Sequence, residues 1–250
     1  MSFNDNNLKV WNINDCTCLL NLIFFDENEL YSACFLCEKR EIYIIGGNKS
    51  KILACDLDGN VKKEISTEDN KYSDIMFIDS YYDIQLFRYY IITGNIGYCN
   101  SYDFETNKIY HTYNDKNDIS YRKSIIIIKD NIMLKLIESS WFGNIRIWDF
   151  RIGELLNIIK LGNYHLYGLC LWNNNNIMIG SQEQNIKIIN LKENEIIDNL
   201  KGHNDFILTL KKITHPIYGK CLLSQGYMNG NIKLWNFNNQ KLKRDSIINK

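Results

Sequence analysis

Proline is nearly missing from this chain. Pro216 is the one example among 250 residues, and it falls in a loop between two expected strands, so it breaks neither. An excess of one charge is missing too. The 29 basic residues cancel the 29 acidic ones, and no segment concentrates the positive charge that a nucleic-acid partner requires. Long apolar runs are lacking, none approaching the roughly 20 residues of a membrane-spanning helix. Residues 1–10 do not show the basic stretch followed by an apolar one that marks a secretory signal. From these absences we expect a soluble cytoplasmic protein, with the nucleus also compatible, and neither a membrane nor a nucleic acid as partner.

Histidine is scarce, with four residues: His111, His165, His203 and His215. There is no Gly-x-Ser-x-Gly elbow, no His-Glu-x-x-His pair and no phosphate-binding loop. His203 alone falls in a repeated pattern. The other three are expected in loops with no patterned carboxylate beside them. We therefore expect no catalytic residue, no cofactor and no small-molecule substrate, and do not expect an enzyme. Cys16 and Cys18, and Cys34 and Cys37, are close enough to raise the question of zinc. The second pair belongs to an expected strand, where residues i and i+3 face opposite ways. The expectation is no metal, with all eight cysteines as free thiols of a reducing compartment.

What the chain has in quantity is apolar and aromatic residues, 45% and 13%, with 16 Tyr against 5 Trp, a composition that suits pleated strands. It also repeats. Leu8-Lys9-Val10-Trp11-Asn12, Ile145-Arg146-Ile147-Trp148-Asp149 and Ile232-Lys233-Leu234-Trp235-Asn236 share one pattern: apolar, basic, apolar, Trp, then Asp or Asn. Ile186-Lys187-Ile188-Ile189-Asn190 is the same unit with Ile for Trp. Ile52-Leu53-Ala54-Cys55-Asp56 and Cys99-Asn100-Ser101-Tyr102-Asp103 are degenerate copies. The Trp-equivalent positions 11, 55, 102, 148, 189 and 235 lie 41 to 47 residues apart, near the ~40–45-residue period of four-stranded propeller blades. Small residues precede a tight turn in each unit: Gly46-Gly47, Thr93-Gly94, Ser139-Ser140, Gly180-Ser181 and Gly226. Another short strand follows the Trp strand, as at residues 155–159 and 196–200. Short strands between turn residues, with no helical periodicity, indicate all-β structure.

These motifs resemble the WD-repeat family. The last copy is the fullest: Leu200-Lys201-Gly202-His203-Asn204-Asp205 opens it, and Asn229-Gly230-Asn231-Ile232-Lys233-Leu234-Trp235-Asn236 closes it. The resemblance implies an all-β fold, a β-propeller of four-stranded antiparallel blades. It forms one domain over residues 1–250, with repeat units near 1–13, 29–56, 75–103, 121–149, 167–190 and 203–236. It also implies a buried network of His, a strand Ser or Thr, a turn Asp and the Trp. The matching positions are His203, Ser224, Asn229 in place of the Asp, and Trp235, with Trp148, Asp149 and Trp11 at corresponding places in other copies. Elsewhere the turn position holds Glu183, Phe142, Ile96 or Lys49, and Asp5 alone keeps Asp. Most blades must then rely on apolar packing between neighbours.

The first copy begins at the turn and third strand. Its third and fourth strands are expected at residues 7–13 and 17–23, with no sequence for the first two. A candidate outer strand lies at 242–248. This amounts to five blades plus a partial sixth, a truncated or open ring. Because unpaired edges invite association, residues 1–250 alone are expected to be poorly soluble or self-associated.

The resemblance implies a non-catalytic scaffold that presents loops to protein or peptide partners, including those of a multi-subunit complex. Exposed aromatics would supply binding energy, and the candidates are Phe142, Tyr164, Tyr167 and Trp172. Residues 136–151, ending in Trp148-Asp149-Phe150-Arg151, resemble the box by which substrate receptors dock on cullin-type ubiquitin ligase adaptors. Arg151 would then pair with acidic groups or carbonyls, although Phe142 stands where the box has Asp. A propeller-based hydrolase is a further alternative, which calls for a cluster of Asp, Glu and His that the repeat positions do not show. Some propellers bind phosphoinositides through Phe-Arg-Arg-Gly. Phe87-Arg88-Tyr89-Tyr90 lacks the second basic residue and the glycine, and that function is set aside.

Overall fold

Runs of alternating and β-branched residues punctuated by Gly, Asn and Asp fold here into short antiparallel strands. The computed structural model describes residues 2–4, 7–12, 15–23, 30, 32–38, 41–47, 51–67, 74–129, 133–228 and 230–237. Among the described residues there are 22 strands in six sheets and no helix. They divide between two compact units, Met1–Arg122 and Lys123–Lys250.

The first unit holds three sheets, each a simple meander in chain order. They are β1 (Ser2–Asn4), β2 (Asn7–Trp11) and β3 (Cys18–Ile23); then β4 (Ser32–Glu38), β5 (Glu41–Gly47), β6 (Lys51–Cys55) and β7 (Val61–Ser66); then β8 (Phe77–Asp83), β9 (Arg88–Gly94), β10 (Tyr98–Asp103) and β11 (Lys108–Asn114). The second unit repeats the plan. Its first sheet is β12 (Arg122–Lys129), β13 (Leu134–Ser140), β14 (Asn144–Asp149) and β15 (Leu155–Lys160). Its second is β16 (Leu166–Leu171), β17 (Asn176–Ser181), β18 (Asn185–Asn190) and β19 (Glu195–Lys201). Its third is β20 (Ile207–His215), β21 (Gly219–Gly226) and β22 (Ile232–Asn236).

Sheets that pack on both faces need middle strands that are apolar on both faces. In the second sheet of the first unit, Ile44 joins Leu8, Leu22 and Leu53, while its neighbour Ile45 joins Ile78, Ile91 and Tyr102. The second unit shows the same division. Ile177 and Ile179 pack with Ile137, Ile145 and Ile147, and Met178 packs with Ile207, Leu222 and Trp235 on the other side. The small residues before the turns belong to this stacking. A Cβ on Gly180 would sit 2.4 Å from the Ile207 carbonyl oxygen, so only glycine lets β20 approach β17 so closely.

The repeated pentapeptide lies opposite a recurring backbone irregularity. At the Trp-equivalent position the third strand changes register against the fourth, between Val10 and Trp11, Ala54 and Cys55, Ser101 and Tyr102, Ile147 and Trp148, and Ile188 and Ile189. The extra residue is on the fourth strand each time, at Leu19, Lys62, Tyr110, Leu156 and Ile197, and such a bulge bends that strand and tightens its twist opposite the Trp position.

Several expectations need correction. A strand does precede Asn7: β1 pairs with β2 through Ser2↔Lys9 and Asn4↔Asn7, so the first sheet has three strands, not two. His111 lies inside β11 and His215 ends β20, because both segments continue a ladder; His165 alone of the three sits in a loop. Asp5, Lys49, Asn229 and residues 242–248 fall outside the described residues.

Candidate functional site

The loop before β20 carries His203 into the body of the last sheet. Its Nε2 lies 2.6 Å from the Ser224 hydroxyl on β21, and the same oxygen accepts the Trp235 indole N–H from β22 at 2.7 Å. All three side chains are buried, and burial, with Lys233 nearby, holds the imidazole neutral by pulling its pKa down to about 4. Asp205 in the same loop completes the fastening. Its carboxylate accepts the backbone N–H groups of Phe206, at 2.7 Å, and of Met228, tying the loop to the β21–β22 turn. The sequence signal for Asp205 lay in the Gly202-His203-Asn204-Asp205 run.

The Asp or Asn after the Trp position serves a different purpose from that network. Asp149 Oδ1 accepts the backbone N–H groups of Arg151 and Ile152 at 2.8 and 3.2 Å, and so shapes the β14–β15 turn. Asp56, Asp103 and Asn190 do the same in their sheets, each as a local side-chain turn. Trp148 is buried on β14, but Trp11 is 41% exposed. It lies on the face of β2 opposite Leu8 and Val10, the pair that packs on the second sheet, so it does not join a buried network.

The degenerate third sheet of the first unit has its own clasp, which the repeat pattern did not foretell. Arg122 is fully buried. It donates to the carbonyls of Gly97 and Asp118 at 2.8 and 2.9 Å and pairs with the Asp118 carboxylate at 3.2 Å. A guanidinium fork suits this task, because its fixed donors satisfy several carbonyls at once.

In the second unit, the turns β13–β14, β17–β18 and β21–β22 and the loops β15–β16 and β19–β20 all emerge at one end of the sheets, as a meander requires. Aromatic side chains join there in sequence. Lys123 Nζ sits 5.1 Å over the Trp141 ring, His165 stacks on Trp141 at 4.4 Å, Tyr167 meets His165 edge-on at 6.2 Å, and Phe206 stacks on Tyr167 at 6.4 Å. Tyr164 stands beside them, its hydroxyl donating to the Leu161 carbonyl at 2.5 Å and Lys187 over its ring. The ladder is half-buried, and the exposed Phe142, Tyr227 and Met228 flank it, 56%, 56% and 85% exposed.

Of the candidate contact residues, the structure therefore brings Phe142, Tyr164 and Tyr167 to one end. Tyr167 lies on β16 rather than on a loop, since the loop closes at His165. Trp172 follows the far end of β16, where it packs on Phe237 at 4.5 Å and its carbonyl accepts Lys212 Nζ at 2.8 Å. Arg151 is in the β14–β15 turn at that opposite end too. Cys34 is buried and Cys37 exposed on opposite faces of β4, and all eight cysteines are free thiols. Among the described residues no group of three or more His, Cys, Asp and Glu side chains is gathered as metal ligands would be. Arg88, in the segment considered for phosphoinositides, is paired with Asp103 at 2.7 Å.

Meandering antiparallel blades with a fourth-strand bulge opposite the Trp position, and a His–Ser–Trp network where the repeat is fullest, give the chain a WD40-like β-propeller fold. The comparison with solved structures agrees: the WD40 β-propeller domain of Doa1 superposes with a TM-score of 0.74 over 96% of this chain and 75% of that one, at 14% sequence identity. No family model and no curated protein sequence matches the chain.

Proposed function

We propose that the chain is a non-catalytic scaffold whose second unit binds a protein or peptide partner across the end where Trp141, His165, Tyr167 and Phe206 line up. The observation that carries this reading is the ladder itself. Three consecutive ring contacts, extended by Lys123 over Trp141, cross three sheets, and Phe142, Tyr227 and Met228 stand exposed beside them. Aromatic anchors on a rigid frame supply most of the energy of protein interfaces, and clustered exposed apolar side chains mark interaction sites. The setting proposed is the cytoplasm or nucleus.

The test is affinity capture by the full chain alongside a variant carrying Phe142→Ala, Tyr227→Ala and Met228→Ala. Partners held directly by wild type and lost from the folded variant support the reading. Partners held equally by both overturn it.

A further inference from the structure

The aromatic end of the second unit carries an uneven set of charges, although the whole chain is neutral. Lys123 near the start of β12, Lys160 at the end of β15, Lys201 at the end of β19 and Lys233 near the start of β22 all come to that end. The carboxylates described there in the second unit are Glu183, Asp205 and, near the end of β13, the fully buried Glu138, which faces Arg146 at 3.7 Å. Glu183 is paired with Lys187 at 2.8 Å, and Asp205 is occupied by the backbone N–H groups of Phe206 and Met228. Lys160 and Lys201 are exposed at the ends of the last strands of two successive blades, and Lys123 lies against the Trp141 ring.

We propose that the partner segment is an acidic linear peptide with apolar side chains. Its Phe- or Leu-like residues would lie on the ladder beside Phe142 and Tyr227, and its carboxylates would meet Lys123, Lys160 and Lys201. This inference rests on the proposed function of the same end. Charge complementarity sets which partner is accepted and how fast it arrives, while the apolar anchors supply holding energy. Partial burial also pushes the Lys123 ammonium's pKa down, and an anion beside it would favour the charged form. A basic segment would instead meet a surface of its own sign, since Glu183, Asp205 and the buried Glu138 are already engaged.

Selection of random linear peptides on the immobilised full chain tests this. The pool retained by wild type should be enriched in Asp and Glu flanking Phe, Leu or Trp. Its members should bind about tenfold more weakly to a Lys160→Glu, Lys201→Glu chain, and binding should fall with added salt. The charge-reversed chain should in turn select neutral or basic peptides. A wild-type pool that is neutral or basic, a pool unchanged by charge reversal, or no enrichment at all overturns the inference. A partner lost from the Phe142, Tyr227 and Met228 variant but kept by the charge-reversed chain would leave the scaffold reading standing while removing this one.

Discussion

His203 Nε2 lies 2.6 Å from the Ser224 hydroxyl oxygen, and this bond joins the loop that enters the last sheet to that sheet's middle strand. Because Trp235 donates to the same oxygen, Ser224→Ala strands two buried partners at once. We expect Ser224→Ala to lower unfolding free energy by about 1–3 kcal/mol, with Ser224→Thr close to wild type because it retains the hydroxyl. Denaturant titration of the two variants checks this; equal stability of Ala and Thr variants would refute it.

The same imidazole makes stability depend on pH. Its pKa is about 4 in the fold against an ordinary 6.5, so the unfolded chain takes up the proton more readily. The contribution is fully present above pH 6.5 and is lost as pH falls toward 4, on the order of 2–3 kcal/mol by linkage. Melting temperatures measured across this window should fall more steeply with acid for wild type than for His203→Gln, and parallel curves would contradict the assignment.

Arg122 is fully buried against Asp118. Removing the guanidinium leaves a buried carboxylate without its cation, so Arg122→Ala should cost about 3–5 kcal/mol. Arg122→Lys keeps the charge but not the fork, and should fall between Ala and wild type. Thermal unfolding of the three chains orders them; a Lys variant no better than Ala would show that the fork geometry is the whole effect.

Two glycines separate space from backbone conformation. Gly180 has no room for a Cβ beside Ile207, whereas Gly230 has a φ of +61° and open space around it. Gly180→Ala should cost about 1–3 kcal/mol through overpacking. Gly230→Asn should be nearly neutral, because Asn tolerates that conformation. Denaturation midpoints of both variants decide the point.

Much of the fold was legible because a propeller repeats itself. The Trp-equivalent register from Trp11 to Trp235 could be counted in the chain because the side-chain-capped turn that follows the strand imposes local residue requirements, met by Asp149 and Asn190 among others. Cys55 and Tyr102 were recognisable by spacing alone. The His203–Ser224–Trp235 contact was legible for the same reason: a shared motif preserves a shared geometry.

The sequence by itself determined the strand pattern, the period and the fullest repeat, since these depend on residues near one another along the chain. Only the tertiary structure decided which aromatics meet. Trp141, the His165–Tyr167 pair and Phe206 come from three different blades, and the contacts between those blades follow from how the sheets stack, which no local pattern encodes. The same is true of Arg122: Gly97 lies far from it in the chain, and burial turned what looks like an ordinary basic residue into the clasp of the β9–β10 turn and the loop after β11. The chain's overall neutrality likewise concealed the lysines of one end, because net charge sums over the sequence whereas a partner meets only the side chains that folding collects on one surface.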